Sequence, residues 1–421
     1  KEQLQRLTGI ANVNSVAQLK RWIKERTGEV VPSLDKKNLK TILTTTKDEI
    51  LKKVLRLRAE TAKTSVAKYE AVERSVCKDG RVRGILQFYG ANRTGRWAGR
   101  ILQVQNLPQN HLQDLDLARE LVRGGEYDIF RMLFPVPQTL SELIRTVLIP
   151  SDGCRFIVSD FSAIEARVIA YLADETWRLN VFAEGGDIYC ASASQMFHVP
   201  VVKHGINGHL RQKGKIAELA LGYGGSAGAL ISMGALDMGL NEDELPELVE
   251  MWRTSNPAIV RFWRTVQDAA MDAIKGKPRR VPHGISFIRE AGILFIGLPS
   301  GRRIAYVKPE IGENRFGGKS ITYMGMDQTS KKWTRLETWG GKLVENIVQA
   351  FARDCLAENI IKLDKAGYRV VFHVHDEVIL DAPKNRSSAQ EVAALMGQPI
   401  SWAPGLPLNA DAYECEYYRK D

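Results

Sequence analysis

Close cysteine pairs, long apolar runs, internal repeats and low-complexity linkers are all missing from this 421-residue chain. The five cysteines (Cys77, Cys154, Cys190, Cys355 and Cys415) are scattered and form no CxxC pair. That scatter argues against structural zinc and against a disulfide framework. It points to a reducing, intracellular compartment in which the thiols pack as small hydrophobes. No apolar run reaches the roughly 18–20 residues of a membrane span, so no membrane partner is expected. No apolar signal segment follows Lys1, and the start at Lys instead of Met reads as a fragment or a processed product. Hydrophobic residues at 44% and charged residues at 26% exclude wholesale disorder. Single cores stop growing near roughly 250–300 residues, so two or three subdomains are expected.

Positive charge is present but uneven. The chain holds 59 Lys+Arg against 49 Asp+Glu, a net charge of +10. Residues 1–100 alone hold 23 basic and 10 acidic residues, so the whole surplus lies in the first quarter. A polyanion, most simply nucleic acid, suits that asymmetry; a solvated basic helical surface is the plain alternative.

The apolar spacing predicts a helix over 13–26 behind Asn14-Ser15 and a long basic helix over 46–75. Asp79-Gly80 signals a turn into a strand-like run over 81–89. A buried strand over 155–159 precedes a helix over 163–173. Further helices are read over 209–221 and within 243–275, strands and loops over 281–340, a helix over 343–366, and a hairpin from Tyr368 to Leu380. Strands and helices mix without a βαβ period, which predicts an α+β fold.

Two acidic segments carry chemistry. The apolar run Phe156-Ile157-Val158 delivers Asp160 at a strand end, just before a helix; Ser162-x-x-Glu165 there also reads as a capping box. In the second segment, apolar strands flank His375-Asp376-Glu377, which could be a plain hairpin tip. Two aspartates on neighbouring strands could together hold two Mg²⁺ for in-line phosphoryl transfer. A third segment repeats Arg211, Lys215, Leu219 and Tyr223 every four residues. On a helix these form one stripe, roughly 18 Å long, running from cations to an aromatic ring. A nucleoside triphosphate has that layout, although an amphipathic surface helix would also explain two exposed cations.

Together these segments resemble the polymerase module of family A DNA polymerases, the bacterial DNA polymerase I type, and most of all its phage-encoded members. Asp160-Phe-Ser-x-Ile-Glu165-x-Arg167, Arg211-x3-Lys215-x7-Tyr223-Gly224 and Val374-His375-Asp376-Glu377 are similar to its three motifs, in order and in spacing. Thr94-Gly95-Arg96 with Gln105-Asn106-Leu107-Pro108 is similar to its primer-template motif. Gln349 and Asp354 also fit, and the first quarter resembles its thumb.

The resemblance implies a right hand: a thumb and adjoining palm edge over 1–85, palm over 86–175 and 286–421, and fingers over 176–285. It implies primer-dependent DNA synthesis from dNTPs on a primer-template, by a monomer, in the cytoplasm of the host cell if phage-encoded. Asp160, Asp376 and the Phe161 carbonyl would hold two Mg²⁺ ions, with Mn²⁺ able to substitute, and Glu377 would assist beside them. Arg211 and Lys215 would grip the triphosphate, with Lys215 a proton donor to pyrophosphate. Tyr223, Leu219 and Tyr189 would line the nucleotide site, and Glu165 would reject a ribose 2′-hydroxyl. Arg96, Thr94, Asn106, Gln349, His375, Arg167 and Lys68 would touch DNA. Leu219 stands where the family usually has an aromatic ring, and Tyr189 where many members have His. The acidic motifs of a proofreading exonuclease would precede Lys1, so none is expected within the chain. A single-subunit RNA polymerase would need a small residue at Glu165. A silent DNA-binding module would have no use for Asp160, Asp376, Arg211 and Lys215 together.

Overall fold

The computed structural model describes residues 2–13, 15–61, 67–314 and 317–420. The chain forms two compact units: Lys1–Ile85, Gly99–Ile149 and Glu416–Asp421 in one, Leu86–Ala98 and Pro150–Cys415 in the other.

The first unit is built mainly of helices. Ser15 caps the helix Val16–Thr27 by accepting the Gln18 amide, and Gly28, at φ 75°, stops it in the left-handed region where glycine is at home. Asn14 lies outside the described residues. Of the helix expected over 46–75, Glu49–Thr61 and Ala67–Ser75 are helical. Ala62, Lys63 and Val66, expected on that helix, lie outside the described residues. The apolar side holds as expected: Leu51, Val54 and Leu55 are buried with Leu4, Leu19 and Ile23. Arg145, 3% exposed, organises the motif around Asn106. Its Nε and Nη2 donate to the Pro108 and Leu107 carbonyls, at 2.6 and 2.7 Å, and its Nη1 to the Tyr418 hydroxyl at 3.0 Å.

The second unit holds two antiparallel sheets. In the four-stranded one the order is Val370–Val374, Glu377–Pro383, Cys154–Phe161, Ala410–Cys415. The strand Cys154–Phe161 is therefore central, which is why Phe156, Ile157 and Val158 are at most 3% exposed. The expected hairpin is the pair Val370–Val374 and Glu377–Pro383. The other sheet is a six-stranded meander from Arg279–Arg280 to Trp333–Thr338. Its alternate residues Phe287, Leu294, Ile296, Ile304, Tyr306, Ile321 and Tyr323 join the main core with the helices Pro257–Ile274 and Gly340–Lys365. Among the described residues, no helix is long and apolar enough to cross a membrane.

Candidate functional site

Asp160 ends the apolar part of the central strand and is the register partner of Glu377 on one side and Asp411 on the other. The Phe161 amide donates to the Asp376 carbonyl at 3.3 Å, so the two aspartate-bearing segments are tied by backbone. His375, immediately before Asp376, has φ 55°, and Ala163, three residues after Asp160, has φ 51°. Left-handed backbone at non-glycine residues costs roughly 1–3 kcal/mol and persists where the surroundings enforce it. Both acidic segments thus turn sharply beside their aspartates. Asp376 is half-buried, His375 exposed, and Glu377 only 1% exposed.

The capping box of Ser162 and Glu165 does not form. Ala163 is the N-cap of Ile164–Ala173 and no side chain caps it. Both partners are recruited elsewhere: the Ser162 hydroxyl donates to Asp411, and Glu165 holds Arg96 Nη2 at 2.5 Å and accepts the Tyr223 hydroxyl at 2.8 Å. Burial, reinforced by the Glu165 carboxylate, pushes the Tyr223 phenol well above its ordinary range, so it stays a hydrogen-bond donor.

The helix Arg211–Leu221 carries the predicted stripe as far as Leu219, while Tyr223 lies just past its end. Arg211 Nε donates to Asp187 Oδ2 at 2.8 Å, and its guanidinium lies 5.2 Å from the Tyr189 ring centre. Asp187 itself caps Ile188–Phe197 by accepting the Tyr189 and Cys190 amides. Burial alone would raise the Asp187 carboxyl, but Arg211 and those amides outweigh it and hold it below the ordinary range. The two helices meet at Gly214, where a Cβ would stand 2.3 Å from the Tyr189 carbonyl oxygen; only glycine permits that approach. Lys215 is half-buried and pairs with no carboxylate among the described residues. Leu219 is 51% exposed.

Arg167, expected to touch DNA, is held by the protein itself. It is 5% exposed, its Nε and Nη1 donate to the Ser162 and Pro407 carbonyls at 2.6 and 2.8 Å, and it lies over the Phe182 ring. Its charge is committed to the turn after Asp160, and burial lowers its pKa from the ordinary arginine value. Thr94, 5% exposed, is likewise a loop-holding residue: its carbonyl accepts Arg302 Nη1 at 2.7 Å. Arg302 is in turn gripped by Asp354 at 2.8 Å, and Arg353 donates to Gly95 and lies 4.1 Å from the Trp97 ring centre. Arg302 and Arg353 were not anticipated; as isolated arginines in a basic chain they carry no signal. Nor was Asp411, on a strand of weak pattern. Gln349 is half-buried on the helix Gly340–Lys365. In the helical unit, Lys68 Nζ donates to the Asn106 carbonyl at 3.3 Å, and burial together with Arg145 lowers its pKa.

Comparison with known proteins identifies the family. The model of "DNA polymerase family A" matches residues 1–278. A DNA polymerase of Bacillus phage SP02 is 58% identical over 422 aligned residues, covering 100% of this chain and 65% of that protein. The thermostable DNA polymerase I of Thermus thermophilus is 27% identical over 284 residues, covering 66% of this chain and 28% of that protein. The chain thus spans about two thirds of the phage relative and a smaller part of the bacterial one. A solved structure of the POL domain of Pol1 from M. smegmatis, in complex with DNA primer-template and dNTP, superposes with a TM-score of 0.63 at 18% identity. It covers 99% of this chain and 63% of that one, and it shows the right-hand polymerase fold. With a family match over well over half its length, the chain belongs to DNA polymerase family A.

Proposed function

We propose that this chain carries out template-directed, primer-dependent DNA synthesis, joining dNTPs to a primer 3′ end by two-metal nucleotidyl transfer. The observation that supports this most is the backbone ladder that ties the Asp160 and Asp376 segments together. Carboxylate oxygens are the donors that Mg²⁺ prefers and Mn²⁺ accepts. Among the described residues no three His, Cys, Asp or Glu side chains enclose a metal site. Mg²⁺ keeps several positions for water and substrate oxygens, so two protein carboxylates suit it. Two such ions, held by Asp160, Asp376 and the Phe161 carbonyl, would supply charge neutralisation and a primer hydroxyl of lowered pKa.

The remaining work belongs to side chains. Arg211, kept aimed by Asp187, presents its fork to the triphosphate, and Lys215 holds a proton at Nζ for the departing pyrophosphate. The bonded pair of Glu165 and Tyr223 walls the sugar and the nascent base pair, with Tyr189 and Leu219 completing the nucleotide site. Arg96 and Gln349 contact minor-groove acceptors, which recur in every correct base pair, and so test pairing without reading sequence. His375 and Glu377 flank the primer end; Lys68 and Asn106 contact DNA from the helical unit. Genome replication by a monomer in a host cytoplasm is the setting this reading implies, and the likeness to a DNA polymerase of Bacillus phage SP02 supports the phage origin. Primer extension with Mg²⁺ tests the reading: Asp160→Ala and Asp376→Ala should each abolish extension, and full extension by either variant would sink it.

A further inference from the structure

The turn that follows Asp160 is pinned on both sides. The Phe161 amide donates to the Asp376 carbonyl at 3.3 Å, while the next amide, that of Ser162, donates to the Asn409 carbonyl at 3.0 Å. Asn409 immediately precedes the strand Ala410–Cys415, which flanks Asp160 on the side away from Glu377. A trans peptide points its C=O opposite to its N–H. Anchoring the Ser162 N–H to Asn409 therefore aims the Phe161 carbonyl the other way, toward the Asp376 segment. The Ser162 side chain reinforces the anchor: its hydroxyl donates to the Asp411 carboxylate and accepts from the Asn409 amide at 3.4 Å. On the other side of Asp160, the Ser159 hydroxyl donates to the Asp411 carbonyl at 3.2 Å. Asp411 thus ties down the residues that bracket Asp160 and Phe161. Its side chain is exposed, so it can be replaced without opening the core.

We infer that Asp411 is a positioning residue of the metal site: acting through the Ser162 hydroxyl, it keeps the Phe161 carbonyl turned to the ions that Asp160 and Asp376 would hold. This rests on the two-metal reading proposed above. Asp411 acts at one remove, by a hydrogen bond to the turn, and not as a ligand. Partners of this kind fix the direction of a ligating atom and so set metal affinity.

Mn²⁺ binding tests it without turnover, read by electron paramagnetic resonance of the free ion, with the protein on a dideoxy-terminated primer-template and the next dNTP. Asp411→Ala and Asp411→Asn both remove the charge, but only alanine removes the acceptor. Asp411→Ala should weaken Mn²⁺ binding about tenfold, the low end of what partners of metal ligands contribute, and Asp411→Asn should restore most of it. Ser162→Ala should match Asp411→Ala, and the double variant should be no weaker than either single one, because both act through one hydrogen bond. Primer extension by the alanine variants should need about ten times more Mg²⁺. Wild-type affinity in Asp411→Ala, an asparagine variant as weak as the alanine one, or additive losses in the double variant would overturn the inference. Failure of the two-metal reading would look different: Asp160→Ala itself would bind Mn²⁺ as the wild type does.

Discussion

Glu218→Ala should destabilise the second unit severely, although nothing in its position marks Glu218 as special. It lies on the Arg211–Leu221 helix one turn after Lys215, and its carboxylate pairs with Arg178, the two side chains being 4% and 2% exposed. Arg178 Nη1 reaches Glu218 Oε1 at 2.8 Å and Asn256 Oδ1 at 2.9 Å, and Nη2 bonds Oε2. Trp252 Nε1, on a side chain with no exposure, donates to the same Oε1 at 3.0 Å. Removing the carboxylate strands a buried guanidinium, which costs about 3–5 kcal/mol. It also leaves an indole N–H without its acceptor, worth about 1–3 kcal/mol before water enters the vacated space. Taking the first figure as the floor, and about 2 °C of Tm per kcal/mol for a body of this size, the midpoint should fall by at least roughly 6 °C. Calorimetry reads this directly. Glu218→Gln should lose less, because an amide oxygen can still accept from Trp252. The double variant Arg178→Met/Glu218→Leu should recover much of the loss, since replacing both partners removes the uncompensated charge. A single-variant loss under about 1 kcal/mol, or a double variant no better than the single, would refute the reasoning.

Glu165→Ala should raise ribonucleotide incorporation at least about tenfold, read as the ratio of kcat/KM for rNTP and dNTP, because it removes the carboxylate that Arg96 and Tyr223 hold in place; unchanged sugar selectivity would remove the gating role. His373 supplies a pH prediction. Burial, with Arg353 nearby, lowers it from 6.5 to about 4, and its ring packs edge-on against Trp97 with centres 4.5 Å apart. Between these two pH values the unfolded chain takes up a proton that the folded chain refuses, so stability should fall as pH drops through that window and level off below about pH 4. His373→Gln should flatten that part of the denaturation profile by up to about 2–3 kcal/mol; an unaltered slope would show that the proton goes elsewhere.

What could be read from the sequence divides along a physical line. The run Phe156-Ile157-Val158 announced its strand, which extends from Cys154 to Phe161, because burial on both faces writes an unbroken apolar run. The hairpin around His375-Asp376 was legible for the same reason, and the helix from Arg211 showed its start and end within a few residues. Polar side chains behaved otherwise. Glu165 satisfies a local capping pattern, yet it is claimed by Arg96 and Tyr223, which lie 69 and 58 residues away. Arg167 looks like a cation for DNA and is buried under carbonyls, one of them 240 residues distant. Asp411 sits on a strand reading Ala-Asp-Ala-Tyr-Glu-Cys, too weak a pattern to announce itself, and becomes the neighbour of Asp160 only through a ladder spanning some 250 residues. Arg178 and Glu218 each resemble a solvated helix face until the fold buries them together. Hydrophobic periodicity is a property of neighbours along the chain, so it survives in one sequence. A charged group's role is decided by which distant partner first satisfies it, because an unpaired buried charge costs more than any local preference provides. Motif resemblance helps because it encodes those distant partners in advance: it paired Asp160 with Asp376, whose segments the ladder joins, but similarity of sequence says nothing of which way the Arg167 guanidinium turns.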